Sequence, residues 1–247
     1  MAVIYSKRID GTLYEVRTAG ESVRLYSNGV LHSQFNPNHP ISGAIWDLLL
    51  LPAFLLKKQP KKILLLGLGG GTLVHLIRVF FPLAHITCVD LDKEHIRIAK
   101  KYFKIPRNTV TLIHGDAYQE LRSMRARFDW IIDDVFQHVN GEPERGSNNY
   151  QLLNTYKKNL SSEGMLSLNV IGKNQLENIN PLIRSFQVAV TFIHPLYENK
   201  IVAMFNSEMN EKAIKKGFKS QLSRFKALDQ TRKTCRLNYR LRVLKCN

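Results

Sequence analysis

Carboxylates close three apolar runs in this chain: Asp90 with Asp92 after residues 86–89, Asp116 after 110–113, and Asp133 with Asp134 after 130–132. A carboxylate is an acceptor-only group and suits a ribose diol or an exocyclic amino group. Upstream, the run 62–66 leads into Gly67-Leu68-Gly69-Gly70-Gly71-Thr72, and Asp90 follows about twenty residues on. An apolar run, a Gly-rich turn, a helix-period stretch and a second apolar run ending in acid form the layout of a nucleotide-binding βαβ unit. Glycines there let the backbone turn sharply and approach a ligand where a Cβ would intrude. The ordinary alternative for Asp90 and Asp116 is helix N-capping.

The elements that must position these acids alternate. Strands are predicted at 63–66, 86–89, 110–113, 130–132 and 165–170, and helices at 72–81, 93–103, 118–124, 150–160 and 175–186. The strands are apolar throughout, as expected of parallel strands covered on both faces. Residues 188–194 and 200–205 flank Tyr197-Glu198-Asn199 and read as a closing hairpin. The expected fold is α/β: a Rossmann-like, doubly wound sheet of seven strands, the last antiparallel. Ahead of it, 12–19 and 21–27 with the Asn28-Gly29 turn signal predict a small β-element, and Ser42 is expected to cap a helix over 44–56. The expected organisation is 1–58 for the β-element and lead-in helix, 59–207 for the Rossmann-like domain, and 208–247 for a basic C-terminal extension docked on it. In that extension Ile214, Phe218, Leu222 and Phe225 share a helical face, while Leu237, Tyr239, Leu241 and Val243 alternate with polar residues.

Four segments together, Gly69-Gly70-Gly71, Val89-Asp90-Leu91-Asp92, Gly115-Asp116-Ala117 and Phe128-Asp129-Trp130-Ile131-Ile132-Asp133-Asp134, resemble class I S-adenosylmethionine-dependent transferases, and within them the spermidine synthase family. The likeness includes the N-terminal element with His32-Ser33, spans about residues 12–205 and leaves out the tail. It implies S-adenosylmethionine, or its decarboxylated form, as cofactor. Carried over by position, Gly67, Gly69, Gly70 and Gly71 would pass under the methionine part. Asp90 would hold the ribose with Leu91 beside it, and Asp116 with Ala117 would meet the adenine. Asp134 takes the place of the family's general base, next to the cofactor.

The departures bear on the reaction. Aminopropyl transfer in that family uses an acid inside the glycine cluster and a second acid three residues after the first at the fourth strand; Gly70 and Gln137 stand at those positions here. The family's Tyr-His-Glu segment has no clear match in residues 42–47. The expectation is a methyltransferase of unknown acceptor. The alternatives are a polyamine aminopropyltransferase and a non-catalytic cofactor- or RNA-binding protein. His138 is the residue expected to assist Asp134, and the loop 137–149, with Glu142, Glu144 and Arg145, is placed to form a lid. No metal is expected, since the fifth strand ends in Asn169 rather than a further acid, and a lone acid pair is a poor cation site.

Composition bounds the rest. The 247 residues, 44% hydrophobic, suffice for one large domain. Cys88, Cys235 and Cys246 are scattered and suggest neither a disulfide framework nor a zinc site. Residues 1–8 lack the apolar core of a signal peptide, and the stretch 48–56 is too short to span a bilayer and is broken by Pro52, so a cytoplasmic setting without membrane contact is expected. Of the net charge of +16, +10 lies in the last 37 residues, which carry twelve Lys/Arg against two acids. That charge suits either nucleic acid or the solvated face of a docked helix. The expected partners are a small-molecule acceptor, a second copy of the chain and, through the tail, nucleic acid.

Overall fold

The computed structural model describes residues 1–139, 142–145, 149–206, 210–223 and 239–244. It begins with an antiparallel four-stranded sheet, β1 (Ala2–Ile9), β2 (Thr12–Ala19), β3 (Ser22–Ser27) and β4 (Val30–Phe35), in sequential order. Helix α1 (Ile45–Leu50) follows and runs into a 3-10 turn over Leu51–Leu55, which Pro52 is free to begin because its ring needs no N–H partner there. The expected Ser42 cap is not formed. Asp47 instead folds back and accepts the Ser42 and Gly43 N–H groups, and its burial pushes its carboxyl up to about 7.

The βα alternation then runs as the periodicity predicts. It comprises β5 (Lys62–Leu66), α2 (Thr72–Phe80), β6 (His85–Asp90), α3 (Lys93–Lys101), β7 (Val110–His114), α4 (Ala117–Ser123) and β8 (Phe128–Asp133). A short ribbon, β9 (Gln137–Val139) against β10 (Glu142–Glu144), precedes α5 (Leu153–Asn159) and the long β11 (Leu160–Ile171). The single helix expected over 175–186 is two, α6 (Gly172–Asn178) and α7 (Asn180–Arg184). Pro181 sits in the first turn of α7 and has no N–H to donate back into α6. The hairpin is β12 (Val188–Ile193) with β13 (Asn199–Phe205), followed by α8 (Glu211–Gln221) and β14 (Arg240–Leu244).

The central sheet has the order β14-β12-β13-β11-β8-β5-β6-β7. The expected seven strands are therefore eight: the alternating segment of the tail pairs antiparallel with β12 and extends the sheet. Strand β13 is antiparallel to both neighbours, β11 and β12. Successive strand residues feed opposite cores. Ile63, Leu65, Ile86, Trp130 and Ile132 pack with α1, α2 and α8, while Leu64, Leu66, Val89, Ile131 and Leu166 pack with α4, α5 and α7. The N-terminal sheet closes a third cluster, in which Tyr14, Val16 and Leu25 cover Ile98 and Phe103 at the end of α3. In the tail, Ile214, Phe218 and Leu222 are buried and Lys212, Lys215, Lys216 and Lys219 are exposed, as the helical spacing requires. Phe225 and Leu237 lie outside the described residues. Among the described residues no helix is long and apolar enough to cross a membrane.

Candidate functional site

Parallel strands of one sheet present their carboxyl ends to one edge, so β5, β6, β7, β8 and β11 bring the acids and the glycine turn together by topology alone. The turn is held by two side chains. Asp90 Oδ2 accepts the Leu68 and Gly69 N–H groups at 2.7 and 3.0 Å, while Oδ1 accepts the Asp92 N–H at 2.8 Å. From the N-terminal sheet, Ser33 Oγ accepts the Gly70 N–H at 2.7 Å. Gly67 has φ +86°, and a Cβ there would lie 2.5 Å from the Asp134 carbonyl oxygen, so only glycine lets β5 turn beside β8. At Gly70 the restriction is space: a Cβ would lie 2.7 Å from the Phe103 ring and 2.8 Å from Ser33 Cβ.

The acids divide into different duties. Asp92 caps α3 through the Glu94 and His95 N–H groups, and Asp116 caps α4 through those of Tyr118 and Gln119, so N-capping is realised at Asp116. It uses Oδ1 alone, and Oδ2 takes no part in the cap. Asp90 caps no helix. Its Oδ1 faces His95, whose imidazole also contacts Ser27 Oγ at 3.0 Å and stands against His32 and Tyr14. Between Asp90 and Asp92, Leu91 is 60% exposed, an apolar side chain left uncovered beside two acids, and Ala117 is buried at the head of α4.

At the end of β8 the two neighbouring carboxylates have unlike surroundings. Asp133 is fully buried, accepts the Tyr156 hydroxyl at 2.5 Å, lies 3.5 Å from that of Tyr118, and pairs with Arg145 Nη2 at 2.6 Å. Arg145 comes from the segment just after β10; its other terminal nitrogen donates to the Asn169 carbonyl and its guanidinium lies over the Phe136 ring. Asp134 Oδ1 accepts from Asn169 Nδ2 at 2.7 Å, and Asn169 Oδ1 in turn accepts from Asn199 Nδ2 at 2.9 Å. Burial is the main cause that pushes the Asp134 carboxyl up to about 7. Asp133 and Asp90 push the same way, against the Asn169 hydrogen bond and the Arg145 charge. The carboxyl is thus shared between its acid and base forms near neutral pH, the condition a general base needs.

The side chains of Gln137 and His138 lie outside the described residues, although β9 carries their backbone. Among the described residues no three His, Cys, Asp or Glu side chains converge as metal ligands. Sequence reasoning missed His95 and Asn199 at this edge, named Ser33 only within the N-terminal element and named Asn169 only as the end of the fifth strand where a further acid is lacking. Of these only Asn169, at the end of the fifth parallel strand, stood at a position that topology alone could have marked.

Comparison with known proteins fits this arrangement. A family profile described as the spermine/spermidine synthase domain matches residues 48–216. A polyamine aminopropyltransferase of Vibrio vulnificus is 33% identical over 132 residues, which cover 51% of this chain and 43% of that protein. An eEF1A lysine and N-terminal methyltransferase of Danio rerio is 33% identical over 105 residues, 40% of this chain and 15% of that one. The matches thus span less than half of each curated relative. The crystal structure of a probable spermidine synthase from Corynebacterium glutamicum superposes with a TM-score of 0.73 at 18% identity, covering 96% of both chains, a likeness of fold.

Proposed function

The chain belongs to the spermine/spermidine synthase domain family, and from that premise we propose that it is an S-adenosylmethionine-dependent methyltransferase whose acceptor carries no charge at its reacting end. The single observation that carries the choice of reaction is the glycine turn. Where aminopropyl transfer calls for a carboxylate, Gly70 is backed by Phe103 and Ser33, and an acid side chain has no room without displacing a buried ring. Gln137 removes the second carboxylate, and Arg145 places a cation beside the pair at β8. A diamine would bring a further ammonium to this edge, where Asp133 is already paired with Arg145 and burial holds Asp134 partly protonated, at a cost of several kcal/mol.

The chain's own groups fit the cofactor. Asp90 keeps lone pairs on Oδ1 for a ribose hydroxyl while its other oxygen fixes the turn, and Asp116, whose cap uses Oδ1, would offer Oδ2 to an adenine amino group. The exposed face of Leu91 offers apolar cover for a purine ring, and Ala117 leaves room for its far edge. When bound, the cofactor supplies an electrophilic methyl group on a sulfonium. Asp134 would take the proton from the acceptor, with Asn169 holding Oδ1 so that Oδ2 faces the acceptor. His138 remains proposed as its helper.

A second reading, polyamine aminopropyl transfer, is favoured by the activity for which the V. vulnificus relative is named. Calorimetry with S-adenosylmethionine, its decarboxylated form and methylthioadenosine, followed by incubation with putrescine, separates the two. The expected outcome is binding of S-adenosylmethionine and little spermidine from decarboxylated cofactor and putrescine. Fast, saturable spermidine formation would overturn the methyl-transfer reading in favour of the second. Absence of binding to all three nucleosides would overturn both.

A further inference from the structure

We propose that Arg145 occupies, from within the chain, the cation subsite of the acceptor mouth, and so acts as the residue that excludes amine acceptors. The inference deepens the methyl-transfer reading and rests on it for the identity of the mouth. The geometry is that of a bound cationic ligand. The guanidinium is 5% exposed and the Asp133 side chain it pairs with is 0% exposed. Around it stand the groups that ordinarily enclose an organic cation: a carboxylate, a backbone carbonyl from Asn169, and the face of the Phe136 ring with its centre 5.6 Å from the guanidinium carbon. The Tyr156 hydroxyl, donating to Asp133, keeps that carboxylate in place. Through Asn169 the same assembly touches Asp134, so a cation seated there lies beside the proposed base. Arg145 is also not part of the sheet. It stands on the segment after β10, tied down by the very contacts that a separate ligand would make.

The chemical consequence is selection by charge. With the subsite filled, an incoming ammonium meets a guanidinium in a water-poor mouth and finds Asp133 already paired. With Arg145 removed, Asp133 becomes a buried carboxylate without its cation, and a free guanidinium or ammonium compound of suitable size fits in its place.

Chemical rescue on the full chain tests this. Thermal melting and calorimetry are run on the wild type, Arg145→Ala and Arg145→Lys, each with methylguanidinium, putrescine and the neutral N-methylurea at millimolar levels. Binding of S-adenosylhomocysteine is measured in parallel. Arg145→Ala is expected to melt lower than the wild type. It should recover in a dose-dependent way with methylguanidinium or putrescine but not with N-methylurea, and bind those cations at least about tenfold more tightly than the wild type does. Arg145→Lys keeps the charge and is expected to ignore them. Equal putrescine binding by wild type and Arg145→Ala, or no response of Arg145→Ala to either cation, overturns the proposal. If Arg145→Ala does not fold without a cation, Arg145→Gln replaces it, and wild-type binding of putrescine alone still overturns the idea. Loss of S-adenosylhomocysteine binding by every protein, wild type included, would remove the cofactor reading while the rescue pattern still decides the role of Arg145.

Discussion

Replacing Asp90 with asparagine removes one acceptor oxygen from a carboxylate that takes three backbone N–H groups, two from the glycine turn and one from Asp92. An asparagine in the same rotamer best keeps its oxygen on Leu68 and Gly69 and turns its amide nitrogen toward the Asp92 N–H. One hydrogen bond is then lost and a donor faces a donor. A hydrogen bond to a charged group contributes about 1.5–3 kcal/mol, which sets the expected total loss. That loss divides between two observables, because a turn that is less well held lowers both global stability and the fraction of molecules ready to bind. Denaturant unfolding of the free protein and calorimetry with S-adenosylhomocysteine measure the two parts. Their sum is expected at about 1.5–3 kcal/mol, equivalent to roughly 10- to 150-fold if it fell wholly on affinity. If both parts stay within about 0.5 kcal/mol of wild type, the range of an ordinary surface substitution, Asp90 neither holds the turn nor touches the ligand.

Three further outcomes are expected. Gly70→Asp should not confer spermidine formation and should lower stability by about 1–3 kcal/mol through overpacking against Phe103 and Ser33, read by denaturant unfolding; a stable variant with new aminopropyl transfer would refute this. Because burial raises the folded Asp134 carboxyl from its ordinary 3.8 to about 7, the native state holds that proton more firmly, so stability should fall as pH rises through this window. Asp47 titrates in the same window, so the check is the difference between wild type and Asp134→Asn, which should show the smaller fall. Phe218→Ala should cost about 3–5 kcal/mol in unfolding experiments, since the ring is buried against Phe192 and Tyr239, whereas Lys216→Gln on the opposite face should change little.

The parallel core was legible because its strands carry unbroken apolar runs, which only a sheet covered on both faces accommodates. The glycine turn and the acids at the strand ends were legible for a related reason: each follows an apolar run at the point where a parallel strand must stop. Strand β1 was not foreseen, because most of it is exposed at a sheet edge and no alternation of apolar and polar residues marks it. The eighth strand was visible only as a period of two in the tail. Nothing in that period names β12 as its partner, since pairing across fifty residues leaves no local signal. Within the site, Ser33 reaches Gly70 from another sheet, Asn199 reaches Asn169 from the antiparallel strand, and Arg145 reaches Asp133 from the loop. These are contacts between elements distant in sequence, and each requires the fold before it can be stated.

The position of β12 has a consequence for how the chain is made. Its sequence, Val-Ala-Val-Thr-Phe-Ile, has no charge and no proline, and nearly all of it is buried in the finished sheet. Strand β11 pairs with β13 and not with β12, so during synthesis β12 emerges with no partner already in place. It stays open on both edges until β13 slots between it and β11, and on its outer edge until β14 arrives some fifty residues later. Such a segment is a template for pairing with another nascent chain. Strand β14 closes that outer edge and leaves the exposed Arg240 and Arg242 along the new edge of the sheet, charges that oppose pairing with a further strand.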